Sequence, residues 1–406
     1  MTLPIGVGGA TMEDELARLR ALSFPHSPIS SEEYQTRRER LIAQMQAHNV
    51  GAVYLNAGTN LYYFTGLKWY ASERLVGALL TVSGELIYLA PHFEAGSIAD
   101  FWLEPGPLAL WHEHESPYAL VGAELARLGL AEATLAVDGS AAFFLADGLR
   151  QANPNLSLIN ADPLLTACRA CKSPAEIALM QTAKAKTLEV HKSAARILRE
   201  GISTSEVTAF INEAHKAVGA SGSSFCIVLF GVATSFPHGV KEAQILKPND
   251  WVLIDTGCLL EGYNSDITRS YCFGEASDAQ RHAWQAEKAA QIAAFEAAQL
   301  GQPCEAPDYA ARAELARFGF GPDYQLPGLP HRTGHGCGLD IHEGPYLVRG
   351  DKTPLATGMV FSNEPMLVVP DQFGVRLEDH FYMGDNGPVW FTQPSHSLDD
   401  PFGLQA

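Results

Sequence analysis

Residues 251–273 read Trp251-Val-Leu-Ile-Asp-Thr-Gly-Cys-Leu-Leu-Glu-Gly-Tyr-Asn-Ser-Asp-Ile-Thr-Arg-Ser-Tyr-Cys-Phe273. Two apolar and β-branched runs, Trp251 to Thr256 and Asp266 to Phe273, flank a middle containing Gly257 and Gly262, the pattern of an antiparallel hairpin. A turn centred between Leu260 and Glu261 places Asp255 directly opposite Asp266. Like charges about 5 Å apart across a ladder oppose folding unless a proton or a cation lies between them, and a divalent metal is the obvious candidate. The construction recurs downstream, where Met359 to Met366 and Val375 to Phe381 can pair around Asp371 and so oppose Glu364 to Glu378. Arg376, two residues before Glu378, shares its face and could orient a carboxylate or a substrate oxygen.

A fifth donor lies in His331-Arg-Thr-Gly-His-Gly-Cys-Gly-Leu-Asp-Ile-His342. His331 and His335 have the spacing of a helical metal pair, but Gly334, Gly336 and Gly338 disfavour a helix and predict an extended segment with close backbone approach. The segment is not a dinucleotide fingerprint, because the GxGxxG spacing is absent. Four carboxylates and the imidazole of His335 suit two divalent ions roughly 3.5 to 4 Å apart. On spacing alone the same residues suit a set of hydrogen-bonded core polar groups.

Outward from these motifs, a helix is predicted from Ala175 to about Glu200, closed by Gly201. Ser203 with Glu206 and Ser277 with Gln280 form capping boxes for two further helices, the second ending at Gly301. With the strands above, these define an α+β domain over residues 168–406. Before it, a helix from Glu32 to about Val50 precedes the strand-like runs Gly51 to Leu55, Gly77 to Val82 and Leu86 to Leu89. Helical patterns near Ala119 to Leu128 and Ala141 to Gln151 alternate with them, giving an α/β domain over residues 1–167.

The chain has 406 residues, 47% apolar and 18% charged, which fits a globular protein of two or three domains. Lys and Arg number 28 against 46 Asp and Glu, and the net charge of −18 repels phosphate backbones, so nucleic acid is not expected as a partner. No run of 18 apolar residues and no basic N-terminal region is present, so neither a membrane span nor a signal peptide is expected. Seven scattered cysteines fit a reducing cytoplasm, and Cys168 and Cys171, lacking a second pair, read as ordinary thiols.

Six motifs carry a family resemblance: Phe236-Pro-His-Gly-Val240, Ile254-Asp-Thr-Gly257, Tyr263-Asn-Ser-Asp-Ile-Thr-Arg269, Gly334-His-Gly-Cys-Gly-Leu-Asp-Ile-His-Glu-Gly-Pro345, Asn363-Glu-Pro365 and Arg376-Leu-Glu-Asp379. In this order and spacing the chain resembles the pita-bread metallopeptidases, the family of methionine aminopeptidase, Xaa-Pro aminopeptidase, prolidase and creatinase. Lys172-Ser-Pro-Ala-Glu-Ile177 resembles the opening of the catalytic domain in prolidases, and Asn60-Leu-Tyr-Tyr-Phe-Thr-Gly66 the strand and turn of their N-terminal domain. Methionine aminopeptidase lacks that domain, and creatinase does not keep the ligand set, so the resemblance is strongest to Xaa-Pro dipeptidase, or prolidase. It implies a creatinase-like α/β domain followed by an α+β pita-bread domain with pseudo-twofold symmetry.

The resemblance further makes Asp255 a ligand of one metal, His335 and Glu364 ligands of the other, and Asp266 and Glu378 bridges. His238 and His342 match histidines that contact substrate and stabilise the tetrahedral intermediate, and Arg376 an arginine that secures the site. The implied cofactors are two divalent ions, Mn²⁺ first and Co²⁺ or Zn²⁺ as alternatives. The implied reaction is hydrolysis of the Xaa-Pro bond of a dipeptide by a hydroxide bridging the ions, with Glu364 shuttling the proton. A homodimer is expected, in which Arg74 could bind the substrate carboxylate. The alternatives are a Xaa-Pro aminopeptidase, a C–N hydrolase like ectoine hydrolase suggested by Glu32-Glu-Tyr-Gln-Thr-Arg37, and a non-catalytic binding module on the same fold. Two positions depart from the family pattern: Val368 stands where many Xaa-Pro peptidases have a tyrosine, and His380 where an acidic or small residue is usual.

Overall fold

A computed structural model describes residues 2–405 of the chain. The segment up to Pro28 and the residues from Ala170 on form one unit, and Ile29–Arg169 forms the other. The sequence reading placed residues 1–28 with the N-terminal domain, whereas they cluster here with the C-terminal unit. The reason is local: in the helix Met12–Arg20, Leu19 is fully buried in the core of that unit, and Arg18 pairs with Glu189 at 2.9 Å. Among the described residues, no helix is long and apolar enough to cross a membrane.

The unit Ile29–Arg169 is built on six strands: β1 (Ala52–Asn56), β2 (Gly77–Thr81), β3 (Leu86–Pro91), β4 (Leu108–Trp111), β5 (Thr134–Val137) and β6 (Ser157–Asn160). Their order is β4-β3-β2-β1-β5-β6, antiparallel where β1, β2 and β3 meet and parallel at the flanks. Central β1 and β2 are buried throughout and apolar but for Asn56 and Thr81 at their ends, as suits strands covered on both faces. The helices Pro117–Arg127 and Phe143–Ala152 bury Val121, Leu125, Leu145 and Leu149 against Tyr54, Leu79, Leu89 and Leu135. One expectation fails here: Asn60 to Gly66 is not a strand and turn but nearly the whole of a helix, Thr59–Thr65, with its cap. Gly66 closes that helix at φ 73°, and the Thr65 hydroxyl donates to the Leu61 carbonyl, so an aromatic, strand-like composition is overridden by its cap.

In the other unit, the predicted capping boxes at Ser203 and Ser277 are formed, opening the helices Thr204–Ala217 and Asp278–Ala297, and a further one at Ser173 opens Pro174–Arg196. They cover two sheets. The first, of order β11-β8-β7, contains β7 (Phe225–Phe230), β8 (Asp250–Gly257) and β11 (Ile267–Phe273), with the short ribbon β9 (Leu259–Leu260) and β10 (Tyr263–Asn264) at its turn. The second has the order β13-β12-β14-β17-β18. It comprises β12 (Gly334–Gly336), β13 (Glu343–Leu347), β14 (Val360–Asn363), β17 (Asp379–Gly384) and β18 (Gly387–Trp390), with a ribbon of β15 (Met366–Val369) and β16 (Phe373–Arg376) beside it. The run Val375 to Phe381, expected as one strand, is broken at Leu377 and Glu378. At the break Glu378 bridges to Thr268 on β11, its N–H donating to the Thr268 carbonyl at 3.1 Å, and the two sheets are joined at that point.

Candidate metal centre

Asp255 lies on the middle strand of the first sheet, between Ile227 of β7 and Thr268 of β11. The expected pairing of Asp255 with Asp266 is therefore displaced by two residues. Glu261 and Gly262 form the turn, with φ of 50° and 86°, and a two-residue hairpin with both residues at positive φ needs glycine at its second position. The expected centre, one residue earlier, ignored that requirement. A two-residue shift keeps the same face, so Asp255 and Asp266 still point to one side of the sheet. In the second hairpin the expected register is the observed one, with Val360 opposite Tyr382 and Met366 opposite Arg376 on either side of the gap that holds Glu364 and Glu378.

His335 reaches the same place from β12, an extended segment as its glycines predicted. A Cβ on Gly334 would stand 2.1 Å from the Ser362 carbonyl oxygen, and one on Gly336 would stand 2.4 Å from the Glu343 carbonyl oxygen. Only glycine lets β12 lie this close to its neighbours. The His335 Nδ1–H donates to the Gly336 carbonyl at 2.9 Å, which leaves Nε2 as an acceptor facing the carboxylates. That nitrogen is 3.0 Å from Glu364 Oε1 and 3.8 Å from Asp266 Oδ2. Donor atoms of Asp266, His335 and Glu378, all buried, lie within 4.8 Å of one another.

Gathering these carboxylates in the interior opposes their ionisation. Burial, reinforced by Glu378, Asp255 and Glu364, pushes Asp266 well above the usual carboxylate range, and burial with Glu364 and Asp255 does the same to Glu378. Burial also raises Asp255, against the opposing charge of Arg376. For Glu364, burial is outweighed by the neighbouring His335, His331 and Arg376, and its carboxylate is held below the usual range. Asp255 Oδ1 and Glu378 Oε1 are buried without a hydrogen-bond partner. Unpartnered buried carboxylate oxygens are expensive, and they converge here with an imidazole acceptor. Hard oxygen donors with one imidazole are the donor chemistry of Mn²⁺, Co²⁺ or Zn²⁺, and the residues fit such ions.

Thr268, Ser362 and Arg269, which the sequence did not single out, hold this set in place together with Arg376. The Thr268 hydroxyl donates to Glu378 Oε2 at 2.7 Å and accepts from Arg376 Nε at 3.1 Å. The Ser362 hydroxyl accepts from the His335 N–H at 2.9 Å and donates to Glu364 Oε1 at 3.1 Å. Arg269, paired with Asp379 at 2.7 Å, donates to the backbone carbonyl of Glu378 at 2.9 Å. Arg376 forms an ion pair with Asp255 and donates through Nη1 to the Pro237 carbonyl at 3.2 Å, next to His238.

His238 and His342 are exposed. The His342 ring lies 4.1 Å, centroid to centroid, from that of His335 and edge-on to it, and burial together with His335 pushes it down to about 4. His331 is bonded through Nδ1 to the Arg332 carbonyl at 2.6 Å. Arg74 lies in the other unit, where it pairs with Glu113 at 3.1 Å and with Glu73.

A model of metallopeptidase family M24 matches residues 178–385, and a model of the creatinase/prolidase N-terminal domain matches residues 37–171. The solved structure of dipeptidase PepE from Mycobacterium ulcerans is 31% identical and superposes with a TM-score of 0.84, covering 92% of this chain and 99% of that one. A prolidase from Thermococcus sibiricus is 28% identical with a TM-score of 0.81, covering 90% and 98%. The Xaa-Pro dipeptidase of Pyrococcus furiosus is 28% identical over 89% of this chain and 99% of its own length.

Proposed function

Because the chain belongs to metallopeptidase family M24 and carries a creatinase/prolidase N-terminal domain, we propose that it hydrolyses the Xaa-Pro bond of dipeptides with two divalent ions, Mn²⁺ in the first place. The observation that carries this reading is the convergence of four carboxylates and the free Nε2 of His335, with two buried carboxylate oxygens lacking any partner. The dipeptide substrate is supported by relatives named as prolidase and Xaa-Pro dipeptidase over nearly their whole length. Asp255 would hold one ion, His335 and Glu364 the other, and Asp266 and Glu378 both.

When bound, the ions supply a water ionised near neutral pH and an electrophile for the scissile carbonyl. Glu364 sits at the edge of the cluster, its Oε1 held by the Ser362 hydroxyl, and carries the proton from the attacking water to the imide nitrogen of proline. His342, beside the His335 ring and kept neutral, donates to the oxygen on which charge develops. His238 contacts the proline end, on a loop tethered through the Pro237 carbonyl to Arg376. Val368, buried on β15 opposite Gly374, has no hydroxyl, and that share of the work falls to the two histidines.

The test is hydrolysis of Ala-Pro. Excess chelator abolishes it and Mn²⁺ restores it, while the tripeptide Ala-Pro-Ala is a poor substrate. Undiminished turnover in chelator would overturn the metal reading, and preferred cleavage of the tripeptide would replace the dipeptidase with an aminopeptidase.

A further inference from the structure

His380 on β17 is fully buried, opposite Ser362 of β14, and neither of its ring nitrogens has a hydrogen-bond partner. A neutral imidazole carries one donor and one acceptor, and leaving both unpaired in the interior is costly. A histidine that served only to fill the core would not be left in that state. Its Nε2 faces two oxygens of the metal centre, Glu378 Oε1 at 3.5 Å and Asp266 Oδ2 at 3.9 Å. Glu378 Oε1 is itself one of the unpartnered atoms. These separations are long for hydrogen bonds. They are the separations of donors that share one ion: with bonds of about 2.1 Å, neighbouring ligands stand roughly 3 Å apart and opposite ones roughly 4.2 Å.

We propose that His380 is a second imidazole ligand of this centre, its Nε2 completing, with Asp266 and Glu378, the coordination of an ion that these carboxylates hold. The inference rests on the metal reading above and adds to it a ligand outside the set of five. Its chemical consequence is selectivity. A second nitrogen donor moves a carboxylate-rich site away from Mn²⁺ and towards ions later in the first transition row, Co²⁺ and Zn²⁺. The ring stands at 83° to that of His335 with centroids 6.1 Å apart, so the two imidazoles approach the cluster from different directions.

The probe is Co²⁺ itself, bound to the full chain, with two readouts: bound metal by elemental analysis, and exchangeable ring N–H signals shifted far downfield by the paramagnetic ion in proton NMR. The wild-type protein is expected to show two such signals, from His335 and His380. His380→Gln is expected to keep one and to raise the Co²⁺ dissociation constant at least ~10-fold. A single signal in the wild type, or two that persist in H380Q, overturns the proposal, and the wild-type count stands whether or not the variant folds. Absence of bound Co²⁺ overturns the metal reading itself, whereas bound Co²⁺ with one signal overturns only the role of His380.

Discussion

At the scale of residues, the four carboxylates and His335 were legible because charged groups on otherwise apolar strands demand an explanation. The groups that hold them were not. A threonine on a β-strand is ordinary, yet the Thr268 hydroxyl is donor to Glu378 and acceptor from Arg376 at once. Thr268→Val keeps the shape and removes both bonds, and it is expected to weaken Mn²⁺ binding about 10- to 100-fold with the fold retained. Competition against a chromogenic chelator measures this, and unchanged affinity would show that Glu378 needs no such support. His380 was visible as an oddity, but its meaning required knowing that β14 and β17 bring its ring under Asp266 and Glu378.

At the scale of elements, strand existence and type came from alternation and β-branching, and register came from the turns. Where the turn residue was read correctly, around Asp371, the register followed. Where Gly262 was overlooked, the pairing slipped by two residues but kept its face. The glycine segment was legible as a close approach, and the distances give it force. Gly334→Ala would drive a Cβ to 2.1 Å from the Ser362 carbonyl, shift β12 and carry His335 away from Glu364. Bound metal in the purified variant is expected to fall to a small fraction of the wild-type content, with a lower Tm. Gly96→Ala, where nothing stands within 4 Å of the added carbon, is the control and is expected to retain full metal. Equal metal content in both variants would show that β12 tolerates the extra atom.

At the scale of the whole molecule, the α/β and α+β units were readable from the alternation of patterns, but the place of the first 28 residues was not, because one short helix gives no sign of which core it will join. The same scale sets the response to acid. His215, bonded through Nδ1 to Ser223 at 2.9 Å and through Nε2 to Thr187 at 3.1 Å, is pushed by burial down to about 4 from the usual 6.5. Between these values the unfolded chain binds the proton that the folded chain refuses. Its contribution is therefore complete above about pH 6.5 and is lost towards pH 4, at about 1.4 kcal/mol per pH unit. A plot of Tm against pH is expected to fall through this window and to be shallower in His215→Gln; identical slopes would assign the loss to other groups. The segment up to Pro28 also fixes an order of events during synthesis. The Ile5 N–H is bonded to the Asp399 carbonyl, so a β-like contact closes a loop of nearly the entire chain. At about 5 to 20 residues per second, the ribosome makes that partner roughly 20 to 80 s after Ile5. Ile29–Arg169 can fold on its own contacts during this wait, while the helix Met12–Arg20 has partners once Pro174–Arg196 and Thr204–Ala217, the helices it packs against, are made.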